Sequence, residues 1–267
     1  MKATTPLSAR WGRHLVEQPW CGDGLTANDP LDDLDALDAL DALDALETLA
    51  QSALSPERRA WRRERGEVYF AVKRTFDVVI ALLALIVCAP LMLVIAALIW
   101  LEDGGPVIFS RRVIGEQGRM FTMYKFRTMC ERAEDLLQQD AELLAEYQRQ
   151  RFKLRSDPRV TRLGRTLRKY SLDELPQLTN ILAGQMSLVG PRCVPPVEVE
   201  QFGEVAALRV WVKPGLSGLW QVSGRSDTTY AERIRLDREY VERCSLALDL
   251  SILLRTLPAV ARGAGAY

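Results

Sequence analysis

The sequence predicts a mainly helical α+β protein, built from a membrane helix region and a compact domain with a small β-hairpin. The membrane region is indicated by 24 consecutive uncharged residues, 78–101. The hairpin is indicated by PVIFSRRVIGEQGRMFTMYKF, in which short apolar runs flank a Gly-x-x-Gly turn. A chain of 267 residues that is 48% hydrophobic can form one sizeable core with appendages. We therefore divide it into residues 1–66, 67–106 and 107–267.

The first part, residues 1–66, has the composition of a low-complexity tail. Its segment LDDLDALDALDALDALETL repeats leucine every three residues, and on an α-helix such a stripe drifts by about 60° per repeat. No fixed apolar face results, so we predict a tail that does not pack. The first 25 residues contain no apolar core of a secretory signal peptide.

Cysteine and histidine usage excludes several kinds of chemistry. The five cysteines form no Cys-x-x-Cys pair, which argues against a disulfide framework or a zinc site and favours a reducing, cytosol-facing environment. His14 is the only histidine and lies in the predicted tail, so a Ser-His-Asp or Cys-His mechanism is excluded. Any catalysis must use carboxylates, lysine, arginine and the backbone.

The uncharged run has two possible topologies. As a helix it would be about 36 Å long, enough to cross a bilayer core. Pro90 lies at its middle and would bend it. Basic residues flank both ends: Arg62, Arg63, Arg65, Lys73 and Arg74 before it, and Arg111, Arg112, Arg119, Lys125 and Arg127 after it. By the positive-inside rule both ends prefer the cytoplasm, and a re-entrant helix satisfies this preference. Glu102 and Asp103 dilute the positive charge of the second flank, so a spanning helix kinked at Pro90 is the alternative.

Three further helical segments are predicted. Residues 131–152 read as a polar helix, and residues 159–169 as a cationic amphipathic one that Gly164 weakens. The C-terminal stretch LALDLSILLRTLPAV is too short to span a membrane and carries Asp249 and Arg255. We expect it to pack against the core or to lie at the membrane interface.

Two adjacent carboxylates, Asp173 and Glu174, follow a stretch with eight basic residues in positions 151–170. In one interpretation Ser171 and Glu174 form a helix capping box, which contributes about 1 kcal/mol. In the other, Pro176 opens the helix and both acids lie just ahead of it. A carboxylate there could attack a phosphoryl centre whose oxygens are neutralised by arginine and Mg²⁺.

Other cationic residues could bind phosphate or a nucleotide sugar. Lys125 and Arg127 stand on the same face of an extended segment, where both could reach a diphosphate or could simply be solvated. Two loops punctuated by glycine and proline, SLVGPRCVPP and KPGLSGLWQVSGR, display further polar side chains that either recognise a ligand or belong to ordinary surface turns. These side chains are Arg192, Lys213, Gln221 and Arg225.

Together, YKFRTM, DPRVTRLGRTLRKYSLDELPQLTNILAGQMSLVGPR and KPGLSGLWQVSGR, behind a proline-broken hydrophobic segment, closely resemble the bacterial sugar transferase family, the monotopic phosphoglycosyl transferases. The resemblance covers residues 68–260. It implies a re-entrant membrane helix broken at Pro90 in region 67–106, and a cytosol-facing catalytic domain with interfacial amphipathic helices in region 107–267. In the family the break follows a serine, which here is Ala89.

The resemblance also implies an activity. Such enzymes transfer a sugar 1-phosphate from a UDP-sugar to undecaprenyl phosphate and release UMP, which initiates exopolysaccharide, capsule or O-antigen synthesis at the cytoplasmic face of the bacterial inner membrane. It implies Mg²⁺ as cofactor and a hexose, such as glucose or galactose, as the transferred sugar. The implied partners are membrane lipids and not nucleic acid, and a homodimer is possible.

The family's site residues map onto this sequence as follows. Asp173 matches the nucleophile and metal ligand, and Glu174 its partner in the acidic pair. The implied substrate-binding residues are Lys125, Arg127, Arg168, Pro191, Arg192, Gln221 and Arg225.

Two alternatives remain from the residues themselves. One is a membrane-anchored basic scaffold or binding protein without catalysis, although aromatic residues are not interleaved as in single-strand nucleic-acid binders. The other is an enzyme without a covalent intermediate, in which Asp173 or Glu174 acts only as metal ligand or base.

Overall fold

The computed structural model describes residues 47–149, 154, 157–224 and 228–262 and confirms a mainly helical α+β fold. Residues 47–53 are helical. The helices that follow are α1 Pro56–Asp103, α2 Ala133–Gln139, α3 Ala141–Arg149, α4 Arg162–Lys169, α5 Gln177–Leu182, α6 Val205–Arg209, α7 Leu219–Ser223, α8 Tyr230–Arg243 and α9 Leu246–Arg262. The strands are β1 Ile108–Ile114, β2 Met120–Phe126, β3 Ser187–Val189 and β4 Gly215–Ser217. The polar helix predicted over 131–152 is thus divided at Asp140, which has extended backbone angles.

Helix α1 carries the uncharged run and has recognisable ends. Ser55 caps its first turn by accepting a hydrogen bond from the Arg58 amide at 3.2 Å. Gly66 interrupts the helix with φ 76°, a left-handed value that suits glycine. Gly104, also left-handed at φ 71°, ends it and donates to the Trp100 carbonyl. The stretch from Gly66 to Gly104 therefore forms one long helix that contains Pro90.

Both halves of α1 pack on the same globular domain, while the middle of the helix is exposed. Before Pro90, Ala81 is fully buried in the main hydrophobic core. After it, Ile95 and Ile99 pack in a second cluster with residues of β2 and α4. Large apolar side chains between and beside these contacts remain exposed: Leu82, Leu83, Ile86, Val87, Leu91, Leu93, Val94 and Leu98. This is the single helix among the described residues that is long and apolar enough to cross a membrane.

The predicted hairpin is confirmed, and a second small sheet was missed. Strands β1 and β2 pair antiparallel from Ile108↔Phe126 to Ile114↔Met120. Strands β3 and β4, which the sequence indicated only as loops, pair parallel. Their close approach requires Gly190, because a Cβ there would lie 2.4 Å from the Lys213 carbonyl oxygen.

The described end of the predicted tail packs against the domain, which corrects the expectation for residues 47–66. Leu49 and Ala53, each 3% exposed, join a cluster with Ile114, Val199 and Val210. Arg58 is buried in an ion pair with Glu116 at 2.9 Å. Trp61 donates to the Val241 carbonyl at 3.0 Å and lies against Trp211. The repeat itself lies outside the described residues apart from its last positions.

Ser52 provides a test of this packing. Its hydroxyl donates to the Ala207 carbonyl at 3.0 Å and accepts from the Trp211 indole at 3.1 Å. We expect Ser52→Ala to lower the free energy of unfolding by about 1–3 kcal/mol, because the indole N–H loses its partner. Chemical denaturation in detergent would measure this. Leu54→Ala, at a side chain that is 69% exposed, is the control, and equal stability of the two variants would contradict the prediction.

Core packing of the C-terminal stretch is confirmed by helix α9, while a position at the membrane interface stays a prediction. Ile252 is fully buried in the core, and Asp249 accepts hydrogen bonds from Lys73 and Tyr240. Its opposite face exposes Leu250, Leu254 and Leu257. The helix therefore packs through one side and leaves an apolar stripe on the other.

Candidate active site

The backbone around the acidic pair supports the second interpretation of Pro176. Leu172–Glu174 form one 3-10 turn, and Pro176 is the N-cap of α5. Ser171 has φ 53° and ψ 25°, whereas a capping box needs extended angles at the cap. Left-handed angles at a non-glycine residue are strained and often mark functional sites. The turn thus presents both carboxylates ahead of α5.

Glu174 is fixed between two cations. Its Oε1 accepts from Lys125 Nζ at 3.1 Å and from Arg192 Nη2 at 2.7 Å. Burial alone would raise the pKa of Glu174, but Arg192 and Lys125 outweigh it and lower the pKa to about 2. Glu174 is therefore ionised at any ordinary pH and its carboxylate is already engaged.

Asp173 is the available carboxylate of the pair. It is 8% exposed, and burial raises its pKa, opposed chiefly by the positive charge of Lys125 and more weakly by Arg192 and Arg168. A carboxylate in such surroundings is weakly solvated, and the three cations around it would attract an anionic ligand. This combination suits a nucleophile or a ligand of a hard cation.

Arg168 reaches the site because α4 lies close to the end of the hairpin. Gly164 allows this approach, since a Cβ there would lie 2.1 Å from the Thr128 carbonyl oxygen. The Arg168 Nε donates to Thr128 Oγ1 at 2.9 Å. Burial lowers the pKa of Arg168, and the Asp173 carboxylate opposes that shift. Gly164, which weakened the helix prediction, is thus a packing requirement.

Gly164→Ala is expected to impair the site through this contact. The added methyl group would push α4 away from Thr128, with a loss of about 1–3 kcal/mol in stability. We expect the Arg168 guanidinium to move with the helix and catalytic turnover to fall about tenfold or more. Thr166→Ala, at an exposed position of the same helix, is the control. Normal turnover of Gly164→Ala would show that this spacing is unimportant.

The remaining predicted site residues are placed differently. Arg127 is buried and forms an ion pair with Asp103, the last residue of α1, whose side chain is partly exposed. Pro191 accepts a backbone hydrogen bond from Gly215 at 2.9 Å. Gln221 donates to the Leu216 carbonyl at 3.2 Å. Arg225 lies outside the described residues. Around the acidic pair the structure thus gathers Lys125, Arg168 and Arg192, while the roles of the others stay predictions.

Asn180 is a positioning residue that sequence reasoning missed. It is 1% exposed and donates to the Thr122 carbonyl at 2.7 Å while accepting from the Tyr124 amide at 3.2 Å. These bonds join α5 to β2 beside Lys125. A single asparagine in a short helix gives no sequence signal for such a role.

The carboxylates present fit a magnesium ion shared with a phosphate. Among the described residues no group of three or more histidine, cysteine or acidic side chains could hold a metal alone. Because Glu174 is engaged by Lys125 and Arg192, Asp173 is the carboxylate of the pair that could act as a protein ligand. Mg²⁺ commonly binds in this way, through one or two carboxylates together with substrate phosphates and water.

Comparison with known proteins identifies the family of this chain. The family model described as bacterial sugar transferase matches residues 68–263. The exopolysaccharide production protein ExoY of Sinorhizobium fredii is 47% identical over 198 residues, covering 73% of this chain and 88% of the relative. The undecaprenyl-phosphate galactose phosphotransferase of Salmonella typhimurium is 43% identical over 203 residues, covering 73% of this chain and 42% of the relative. The undecaprenyl-phosphate glucose phosphotransferase of Komagataeibacter xylinus is 38% identical over 209 residues, covering 73% of this chain and 37% of the relative. The chain therefore belongs to the bacterial sugar transferase family.

Proposed function

We propose that this protein transfers a sugar 1-phosphate from a UDP-sugar to undecaprenyl phosphate at the cytoplasmic face of the membrane, releasing UMP. The observation that carries the proposal is the buried Asp173, which lies among three cations and, within the described part of the chain, takes no part in the ion pairs that engage Glu174. The names of the Salmonella and Komagataeibacter relatives support the lipid acceptor.

In the first step, an Asp173 oxygen attacks the β-phosphorus of the UDP-sugar. The bond between that phosphorus and the bridging oxygen breaks, and UMP leaves with the electron pair. The product is an aspartyl phosphosugar, an acyl phosphate in which the Asp173 carboxyl group and the sugar phosphate form a mixed anhydride. Lys125, Arg168 and Arg192 offset the repulsion between the carboxylate and the diphosphate. Mg²⁺, held by Asp173 and phosphate oxygens, would supply further charge neutralisation.

In the second step, an oxygen of undecaprenyl phosphate attacks the same phosphorus. The bond to the Asp173 oxygen breaks, which regenerates the carboxylate and yields undecaprenyl diphosphosugar. Because the two anionic substrates bind in succession, they never have to occupy the site together.

The packing of α1 supports a re-entrant membrane helix. A straight spanning helix would carry its second half out of reach of a cytosolic domain, yet Ala81 before Pro90 and Ile95 and Ile99 after it all contact that domain. The exposed apolar residues near Pro90 would then be the ones that face lipid.

Cysteine labelling tests this topology. We expect Glu67→Cys and Glu102→Cys, at opposite ends of the apolar segment, both to be protected from a membrane-impermeant maleimide in intact spheroplasts and both to react after lysis. Labelling of one position in intact spheroplasts would establish a spanning helix instead.

The activity is tested by UMP release. Purified protein in detergent, with undecaprenyl phosphate and Mg²⁺, is given UDP-glucose, UDP-galactose and their N-acetylated analogues in turn; we expect release with a hexose donor. Without acceptor, a radiolabelled sugar phosphate should remain on Asp173. Absence of UMP release with every donor, from folded protein, would favour a non-catalytic scaffold, and turnover without a trapped label would favour direct transfer.

A further inference from the structure

Arg209 and Asp237 form a buried ion pair that the proposed mechanism does not use. Arg209 also contacts Arg192, whose side chain binds Glu174. Its Nη1 pairs with Asp237 of α8, and its Nη2 donates to the backbone carbonyl of Arg192. Its guanidinium lies over the Phe202 ring, with Cζ 3.8 Å from the ring centroid. Arg209 is 9% exposed and Asp237 1%. All three contacts hold one side chain in one orientation.

Stability alone gives little reason for this arrangement. Removing two charges from water is costly, and a buried ion pair often contributes no more than an apolar pair of the same size. Within the described part of the chain, the second oxygen of Asp237 is buried without a hydrogen-bond partner, which adds to the cost. The benefit must therefore come from what the pair orients.

Arg192 is the residue that needs orienting. Its side chain is 35% exposed, so rotamer freedom competes with its 2.7 Å bond to Glu174. The preceding backbone is fixed, because Gly190 and Pro191 are held against the β4 segment by hydrogen bonds from Gly190 to Ser217 and from Gly215 to Pro191. The Arg192 carbonyl is fixed by Arg209.

We propose that Arg209, oriented by Asp237, is a positioning residue that holds the Arg192 backbone so that the Arg192 guanidinium meets Glu174. This inference rests on the proposed function, in which Arg192 lies beside the reacting phosphate. Arg209 donates in two directions from one planar group. A lysine at this position has a single ammonium group and no such fork.

Cys193, the next residue, reports on this backbone without any substrate. It is half-buried, its Sγ lies 3.3 Å from Met123 Sδ, and burial raises the pKa of its thiol, so alkylation should be slow.

In Arg209→Lys and in Asp237→Asn, we expect iodoacetamide to modify Cys193 at least about fivefold faster, as local opening becomes easier. Peptide mass spectrometry would measure the rate. Val241→Ala, a core truncation on the same helix as Asp237, is the control for general loss of stability.

A double-mutant cycle tests the link to catalysis. We expect Arg209→Lys to lower kcat/KM for UMP release by about tenfold to a hundredfold, and to add no further loss in an Arg192→Ala background. Val241→Ala should act additively with Arg192→Ala. Additive effects of Arg209→Lys, or a Cys193 rate no higher than in Val241→Ala, would overturn the inference. Absence of UMP release from the unmodified protein would refute the proposed function instead, and the Cys193 rates would still decide whether Arg209 positions Arg192.

Discussion

Asp173→Asn is expected to reduce UMP release by more than about a thousandfold and to abolish the trapped phosphosugar. An amide nitrogen or oxygen is a far weaker nucleophile than a carboxylate and is a poor ligand for Mg²⁺. The fold should survive, because asparagine has nearly the same shape and burial already disfavours the charged form of Asp173.

Asp135→Asn is the matched control, since it removes a carboxylate from an exposed position of helix α2. Both variants should sediment with the membrane and give the circular dichroism spectrum of the unmodified protein. Turnover above a tenth of normal in Asp173→Asn would show that another group attacks the phosphate.

Glu174→Gln is expected to reduce turnover by about a hundredfold to a thousandfold while leaving the trapped label on Asp173. The substitution frees Lys125 and Arg192 from their shared anion and removes the negative charge that raises the pKa of Asp173. The pKa of Asp173 should therefore fall. Because the ionised carboxylate is the nucleophile, the acid limb of the pH–rate profile should move to lower pH.

Glu142→Gln, at an exposed position in the first turn of α3, controls for the loss of a glutamate charge. An acid limb that moves to higher pH in Glu174→Gln would mean that Glu174 does not raise the pKa of the nucleophile. Loss of the trapped label would mean that Glu174 itself carries the phosphosugar.

The features that the sequence predicted well are those encoded by neighbouring residues. An uncharged run of sufficient length indicates a membrane helix wherever it occurs, and a Gly-x-x-Gly turn between apolar runs indicates a hairpin. Pro176 limited the possible helix start near Asp173 to two positions, one of which the structure adopts. Local chemistry was sufficient for these elements.

The features that the sequence did not predict depend on partners far along the chain. In the sequence Arg58 resembles a solvated charge, but in the structure it pairs with Glu116. Trp61 likewise shows no sequence sign of its contacts with Val241 and Trp211. That the end of α1 brings Asp103 to Arg127 was likewise not predicted, and a role of Arg127 beside a diphosphate stays a prediction. Strands of three residues such as β3 are also too short for a period-2 pattern to identify.

The packing of residues 47–66 has a practical consequence for recombinant work. A shortened chain that starts at residue 68, where the family match begins, would lack Leu49, Ala53 and Trp61. Trp211, Val199 and Val210 would then be open to water beside a helix that is already strongly apolar, and aggregation would follow. Expression from residue 47 or earlier keeps this apolar surface covered.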